Sequence, residues 1–419
     1  MSVLLRQLLL IIGISTLASN VLAALPSTSD KHAVAVHYTD MAYAIYSDAE
    51  KSGIALQASV NTFLKAPDQK SLIAAQNAWK TARKAYQQSE VFRFGNPVVD
   101  DWEGQLNNWP LDEGLIDYVA DDYFYALGNI GADLNIIANP SLNLGSDVVD
   151  ASTINAELLR SLHELGGSAA NVTTGYHAIE FLLWGQDLNG HKLGAGKRPY
   201  SDYLRGDKCT HGNCDRRADY LRAVTAVLVE DLQYMRKQWA PKLKDNYRAE
   251  LLGMNDDIIL ARMFYGIGSL SLGELGGERI KVSLEANSTE DEHDCFSDNT
   301  HWSHYYDGLG IQNLYLGKYQ RLDGSVLSGP SLSSLVAKAN AKTDQQTRQS
   351  LDNTMKALTV LTKAAEAKDK PMKFDMMIAE GNNRGEEILS NILSALVDQT
   401  RSIEQSASAI NIDPTATGL

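Results

Sequence analysis

Apolar residues recur at helical spacing through most of this 419-residue chain, and the two-residue alternation that marks strands is scarce. Val36, Met41, Tyr43, Ile45, Ile54, Leu56, Val60 and Phe63 predict one long helix or two over residues 32–64, ended by Pro67. Asp68 reads as the N-cap of a second helix through Leu72, Ile73, Trp79, Ala82, Tyr86, Val91 and Phe92, which stops at Gly95-Asn96-Pro97. Residues 96–150 are less regular, with Pro110 and many Asp and Asn, and short helices follow near 154–165 and 172–184. A polar, glycine-rich stretch occupies 185–217. Beyond it the pattern predicts helices near 217–239 and 247–270, an acidic loop over 285–298, a helix around 309–319, and helical stretches near 331–366 and 374–406. In the last of these Phe374, Ile378, Ile388, Leu389, Ile392, Leu393 and Leu396 form a core-facing stripe.

The pattern therefore predicts an all-α protein. Ile179-Glu180-Phe181-Leu182-Leu183-Trp184-Gly185 aligns without gaps with Ile311-Gln312-Asn313-Leu314-Tyr315-Leu316-Gly317, sharing the isoleucine, one leucine and the glycine. Each copy follows a long helical section, so a duplicated four-helix-bundle-like unit is the expected architecture. The expected division is an N-terminal bundle over 24–190, a connecting segment over 191–216 and a C-terminal bundle over 217–419. Ligand pockets favour such domain interfaces.

The first residues stand outside this plan. Arg6, the apolar run from Leu8 to Ile14 and the compact Val21 and Ala23 read as a signal peptide over 1–23, cut near Ala23. The expectation is an exported protein of the periplasm or cell envelope. No cysteine follows the apolar core to accept a lipid, and no later apolar run is expected to reach the roughly 18 to 20 residues that span a bilayer.

A formal net charge of −14 argues against a nucleic-acid partner, which needs a concentrated positive surface. Of three cysteines, Cys209 and Cys214 could close a small loop and leave Cys295 over; together with His211 they could instead hold a metal. The acidic run Glu290-Asp291-Glu292-His293-Asp294 also suggests a metal, although such runs are usually solvated loops. His32, His37, His163 and His191 have no supporting constellation, and His304 with Tyr305-Tyr306 reads as core or rim.

The sharpest chemical signal is Gly175-Tyr176-His177-Ala178-Ile179-Glu180. On a helix a histidine and a carboxylate three apart share one face, within reach of one cation. Imidazole with carboxylate suits iron or zinc rather than calcium or magnesium. The bland alternative is a histidine bonded to its own neighbour.

With these residues in view the chain resembles the imelysin family, and within it the iron-regulated, IrpA-like envelope proteins. Gly175-Tyr176-His177-Ala178-Ile179-Glu180 is similar to the family's Gly-x-His-x-x-Glu signature. Trp79-Lys80-Thr81-Ala82-Arg83, Ser89-Glu90-Val91-Phe92-Arg93-Phe94-Gly95, Gly273-Glu274-Leu275-Gly276-Gly277-Glu278-Arg279 and Cys295-Phe296-Ser297-Asp298-Asn299-Thr300-His301 add to the likeness, which covers nearly the whole mature chain. The resemblance implies two bundle-like domains with a site at their interface near His177 and Glu180, and a role in iron acquisition beside an inner- or outer-membrane uptake component. Peptidase activity is the older family label, resting on a zinc-protease reading of His-x-x-Glu.

A zinc hydrolase needs three protein ligands, an open position and a general base, and the inverted helical motif needs His-x-x-Glu-His. Residue 181 is Phe, so that motif lacks its second histidine. The expected ligands for iron, with zinc as the alternative, are His177 and Glu180, joined by Glu90, Asp298 and His301 from elsewhere in the chain. Arg279, Arg93, Arg83, Glu274 and Gly175 are expected around them, the arginines either orienting carboxylates or receiving an anion or metal chelate. The competing structural reading is a buried ion-pair network. A metal-binding transport protein is thus expected rather than an enzyme, with a zinc metallopeptidase and an envelope interaction module as the alternatives.

Overall fold

The computed structural model describes residues 25–123, 129, 131–145 and 147–419. The signal peptide expected over 1–23 lies outside these residues. The first helix, α1 (Thr28–Lys65), is one unbroken element that starts at a reciprocal cap: Ser27 Oγ accepts from the Asp30 N–H while the Asp30 carboxylate accepts from the Ser27 N–H. Asp68 and Ser71 repeat the device at the start of α2 (Gln69–Ser89). A 3₁₀ turn, Glu90–Phe92, leads to α3 (Pro97–Asn107), with proline at its start, and to the single turn α4 (Glu113–Ile116). A small antiparallel hairpin, β1 (Ser141–Asn143) with β2 (Val148–Asp150), precedes α5 (Ala156–Leu162) and α6 (Gly175–Trp184).

After the polar stretch come α7 (Cys214–Gln238), α8 (Tyr247–Leu252) and α9 (Asp256–Gly268). The backbone of α9 continues as a π-helix, Ser269–Val282, into α10 (Ser283–Ala286). Then follow α11 (Thr300–Leu316), the hairpin β3 (Lys318–Gln320) with β4 (Val326–Ser328), α12 (Leu332–Ala339), α13 (Ala341–Ala365), α14 (Phe374–Met377) and α15 (Asn383–Ala409). The all-α expectation therefore holds, apart from two hairpins whose three-residue strands are too short to show as alternation.

Helix α1 packs on α2 and α7, with α6 against α7, α2 and α3; α11, α13 and α15 pack together with the π-helix, and α11 also lies on α2. Because α7 packs on α1 and α6, the polar stretch before it is an excursion of the N-terminal bundle, not the divide between bundles. A large apolar core built around Trp79, Phe92 and Trp239 joins most elements, and a smaller one gathers Leu275, Leu358, Phe374 and Leu389.

Several boundaries differ from the sequence expectation: the helix expected over 247–270 breaks between Leu252 and Asp256 and runs on to Ala286, and three more differ further along. Helix α11 begins at Thr300 because its first turns bury His301, Ser303, His304 and Asp307, a polar face that apolar periodicity does not reveal. The stretch 331–366 breaks at Asn340, whose extended backbone and side chain cap the next helix at the Thr343 N–H. Asn382 starts α15 in the same way, at the Gly385 N–H. The repeated glycine of the internal echo ends both α6 and α11 at positive φ, 71° at Gly185 and 63° at Gly317, which is what many helix C-termini require.

The helical stretch Asp256–Ala286 is long and apolar enough to cross a membrane, contrary to the expectation that no later run is. Two-thirds of its apolar window is buried inside the protein, so that surface is committed to the core. Cys209 and Cys214 are joined in a disulfide, with Cα atoms 5.9 Å apart, so their sulfurs are not free to join His211 around a metal. His211 instead bonds Asp202 at 2.7 Å, and Cys295 is a free thiol.

Candidate metal centre

Helix α6 owes its position to its first residue. Gly175 has φ +84°, and a Cβ there would sit 2.5 Å from the Leu106 carbonyl oxygen at the end of α3. Only glycine allows both the conformation and the approach. From that start α6 is buried along its whole length, with His177 2% and Glu180 0% exposed. One turn apart on one face, His177 Nδ1 and Glu180 Oε2 lie at 2.9 Å, while the Ser297 N–H donates to Glu180 Oε1 at 3.0 Å. Glu180 thereby accepts from the imidazole and from the backbone, leaving His177 Nε2 buried without a hydrogen-bond partner. With the proton on Nδ1, Nε2 carries an in-plane lone pair.

Close to His177 stand a histidine and a carboxylate which the sequence reading assigns to a solvated loop. His177, His293 and Asp294 each offer a ligand atom within 4.8 Å of the other two, and among the described residues no other group of three or more does so. The loop is buried here, with His293 1% and Asp294 0% exposed. The His293 ring stands edge-on to His177, centroids 4.9 Å apart, and to Trp109 at 4.3 Å. Asp294 accepts from Asn299 at 2.8 Å, Ser303 at 2.5 Å and Arg83 at 2.9 Å. The charge count of the run Glu290–Asp294 hid this; its useful signal is the apolar Cys295-Phe296 immediately after it, which draws the loop inward.

Arg83 is held as firmly as the carboxylate it meets. Its guanidinium lies 5.5 Å from Trp79, 5.7 Å from Tyr86 and 5.1 Å from Tyr176, and donates to Asn107 Oδ1 at 2.6 Å. Trp79, one turn earlier on α2, donates its indole N–H to the Tyr176 carbonyl and so ties α2 to α6. Burial opposes a charge on Asp294, but Arg83 and the hydrogen bond with His293 together hold its carboxyl well below the usual range. Burial, reinforced by Arg83, drives His177 down to about 3, and burial drives His293 well below its ordinary value. Both imidazoles are therefore neutral at neutral pH, the form that ligates metal. Burial followed by the charge of Asp294 raises the Glu180 carboxyl well above the usual range.

The remaining expected ligands lie elsewhere. Glu90 accepts from Arg279 at 2.7 Å in a buried knot where Arg279 also meets Asp307 at 2.8 Å and Glu274 at 3.0 Å. Arg93 extends it to Asp100 at 3.0 Å, Glu103 at 3.2 Å and Glu274 at 3.5 Å. This is the ion-pair network, joining the π-helix to the Glu90 turn and to α11. Trp109 links it to the histidine pair: the Arg279 guanidinium lies 5.3 Å from the Trp109 ring, which stands edge-on to His293. The π-helical winding brings Glu274 and Arg279, five residues apart, into contact at 3.1 Å. His301 Nε2 bonds Glu366 at 2.7 Å, and Asp298, with Oδ1 unpartnered, has Asp187, Lys373 and Lys80 as its charged neighbours. Neither joins the His177 group. Each Arg279 nitrogen donates to a carboxylate, so its charge is already matched by Glu274, Asp307 and Glu90.

A cavity of ≈ 260 Å³ adjoins the pair, with Asn107, Trp109, Glu103, Glu274 and Asp291 in its wall. Asn107 lies 3.4 Å from His293 Nε2, so this cavity leads to the second imidazole. A larger cavity of ≈ 390 Å³, at the far end of α6 around Trp184, Leu188 and Arg198, contains neither histidine.

The family model for imelysin matches residues 42–403. Iron-regulated protein A of Synechococcus elongatus is 36% identical over 61 residues, a match spanning 14% of this chain and 17% of that protein's length. Two solved structures share the fold. One is assigned as an iron-regulated protein A precursor of Parabacteroides distasonis, with TM-score 0.65, 20% identity, and coverage of 92% of this chain and 96% of that one. The other is an imelysin-like protein of Psychrobacter arcticum, with TM-score 0.59, 15% identity, and coverage of 93% and 98%.

Proposed function

The chain belongs to the imelysin family, and from that premise we propose that it is an exported iron-binding protein of the bacterial envelope that takes part in iron acquisition. The metal ligands in this reading are His177, His293 and Asp294, with Glu180 orienting His177 and Arg83 positioning Asp294. The observation that carries it is a buried histidine whose Nε2 has no hydrogen-bond partner and which offers a ligand atom within 4.8 Å of those of a second neutral imidazole and a carboxylate. Two histidines and one carboxylate are a donor set suited to ferrous iron. The carboxylate–imidazole bond behind His177 fixes its ring and raises its basicity, as outer partners of metal-bound histidines commonly do. Iron as the cargo is favoured by the relatives named for iron regulation. Export rests on the leading apolar segment and on a disulfide of the kind that persists in oxidising compartments.

The peptidase reading gains nothing from this geometry. Glu180 accepts from His177 and from the Ser297 N–H, so its two oxygens already serve to hold the imidazole and the loop, and Phe181 stands where the inverted zinc motif needs its second histidine. The deciding experiment is elemental analysis and anaerobic Fe²⁺ titration of chelator-stripped mature protein beside the His177→Ala/Glu180→Ala variant. One iron per chain, lost in the variant while its helical circular dichroism is kept, is the expected result. Failure of the wild type to bind either iron or zinc would overturn the proposal.

A further inference from the structure

On the other flank of the same loop lies a group of carboxylates that the iron site does not use. Glu113 from α4, Asp187 from the segment after α6, and Glu290 and Glu292 from the acidic loop surround one small cavity of ≈ 20 Å³, with Thr289 and Cys295 beside them. That is room for a single water or a single bare cation. Glu113 and Glu292 are 6% and 2% exposed, and Glu113 Oε2 and Glu292 Oε1 have no hydrogen-bond partner. Asp187 is half-buried, and Glu290 stands exposed at the rim. The charges felt most at Glu292 are those of Asp375, Asp298 and Asp187, and at Glu290 those of Asp291, Asp112 and Asp187; all are acidic. Asp375, 1% exposed, likewise has neither carboxylate oxygen partnered.

Buried carboxylates are ordinarily paired, hydrogen-bonded or bound to a metal. We propose that the cavity framed by Glu113, Asp187, Glu290 and Glu292 binds a calcium-type hard divalent cation, at a site separate from the histidine pair. The available donors are carboxylate oxygens, the Thr289 hydroxyl and backbone carbonyls, without an imidazole, which is the chemistry of calcium rather than of iron or zinc. The carboxylate oxygens are not gathered within 4.8 Å of one another as the ligand atoms of His177, His293 and Asp294 are. In the proposal a bound cation draws the four together. The ion then clips α4 and the segment after α6 to the loop that carries His293 and Asp294, bracing the iron site from its acidic side.

The test is calorimetric titration of CaCl₂ into chelator-treated mature protein at pH 7.5, using wild type, Glu113→Gln/Glu290→Gln, Glu290→Gln and His177→Ala. The expected result is one Ca²⁺ per wild-type chain, binding weakened about tenfold or more in the double variant and by less in Glu290→Gln, and unchanged in His177→Ala. Both glutamine variants remove like charge, so they are expected to keep the wild-type circular dichroism; should the double variant not fold, Glu290→Gln at the exposed rim gives the same reading. A wild type that takes up no calcium overturns the proposal, leaving the acids protonated around a water. Glutamine variants that bind as tightly as wild type, or loss of calcium in His177→Ala, overturn it as well, because the ion would then sit elsewhere or in the histidine site.

Discussion

Replacing Glu180 by glutamine separates orientation of His177 from direct ligation of the metal. Glu180 accepts twice, from His177 Nδ1 at 2.9 Å and from the Ser297 N–H at 3.0 Å. Glutamine has one acceptor oxygen, so one of these donors meets an NH₂ group and loses its bond. An unsatisfied buried donor costs about 1–3 kcal/mol, and removal of a buried carboxylate offsets part of that, so stability should change by no more than about 2 kcal/mol. Metal affinity should fall about 10–100-fold, or roughly 1.4–2.7 kcal/mol, the usual effect of losing a partner behind a ligating histidine. His177→Ala removes the ligand itself and should leave no site. The assay is anaerobic Fe²⁺ competition against a chromophoric chelator, with urea midpoints measured on the same preparations. Wild-type affinity in Glu180→Gln would refute the orienting role, and loss as complete as in His177→Ala would make Glu180 a ligand.

Three further outcomes follow from the same geometry. Arg83→Met should destabilise the metal-free protein by about 3–5 kcal/mol, because Asp294 loses its charged partner and keeps the uncharged donors Asn299, Ser303 and His293, and added metal should recover more melting temperature there than in wild type. In Gly175→Ala the new Cβ collides with the Leu106 carbonyl at a positive φ, so thermal melting should show a loss of about 1–3 kcal/mol and titration a weaker metal site as α6 is pushed from α3. The urea midpoint should peak between about pH 4.5 and 6.5. Below that window the unfolded chain takes up protons that His177 and His304, held down to about 3 by burial, refuse, so stability falls with pH. Above it the folded chain retains protons on Glu103 and Glu113, raised by burial to about 7 and about 8, that the unfolded chain has already released, so stability falls as pH rises, by up to about 1.4 kcal/mol per pH unit per group. Glu113→Gln should flatten that alkaline decline.

Helix positions were legible because apolar spacing and caps are local: Asp68, Gly95 and Gly185 mark ends that the backbone uses as the sequence suggests. The first half of the candidate site was legible for the same reason, since His177 and Glu180 lie within one turn of one helix. The second half was not. His293 and Asp294 are adjacent in a run whose charge predicts solvent, and only the inward pull of Phe296, packed on Phe181 at 5.2 Å, and the donors of α11 bury them. Glu90 was expected as a metal ligand and Arg279 as a charged neighbour of the site, but spacing along a chain cannot say whether a carboxylate faces a cation or an arginine. The structure pairs Glu90 with Arg279 and gives the histidines a different carboxylate.

On the proposed iron-binding reading, the Arg83–Asp294 ion pair is what makes metal capture reversible. Arg83 and an incoming cation address the same carboxylate, Asp294, and Arg83 is caged by three rings and cannot withdraw far. Metal-free, the arginine neutralises Asp294 and avoids the several kcal/mol that an unpaired buried carboxylate would cost. Metal-bound, the arginine remains as a nearby positive charge that opposes the cation and lowers its affinity. A site built only for permanent metal would have little use for that charge, whereas a site that must both accept and release iron gains from it. Arg83→Met should therefore do two opposite things, weakening the apo fold while tightening the metal. An Fe²⁺ titration showing weaker binding in that variant, with the fold intact, would remove Arg83 from the release mechanism and leave it a structural partner of Asp294.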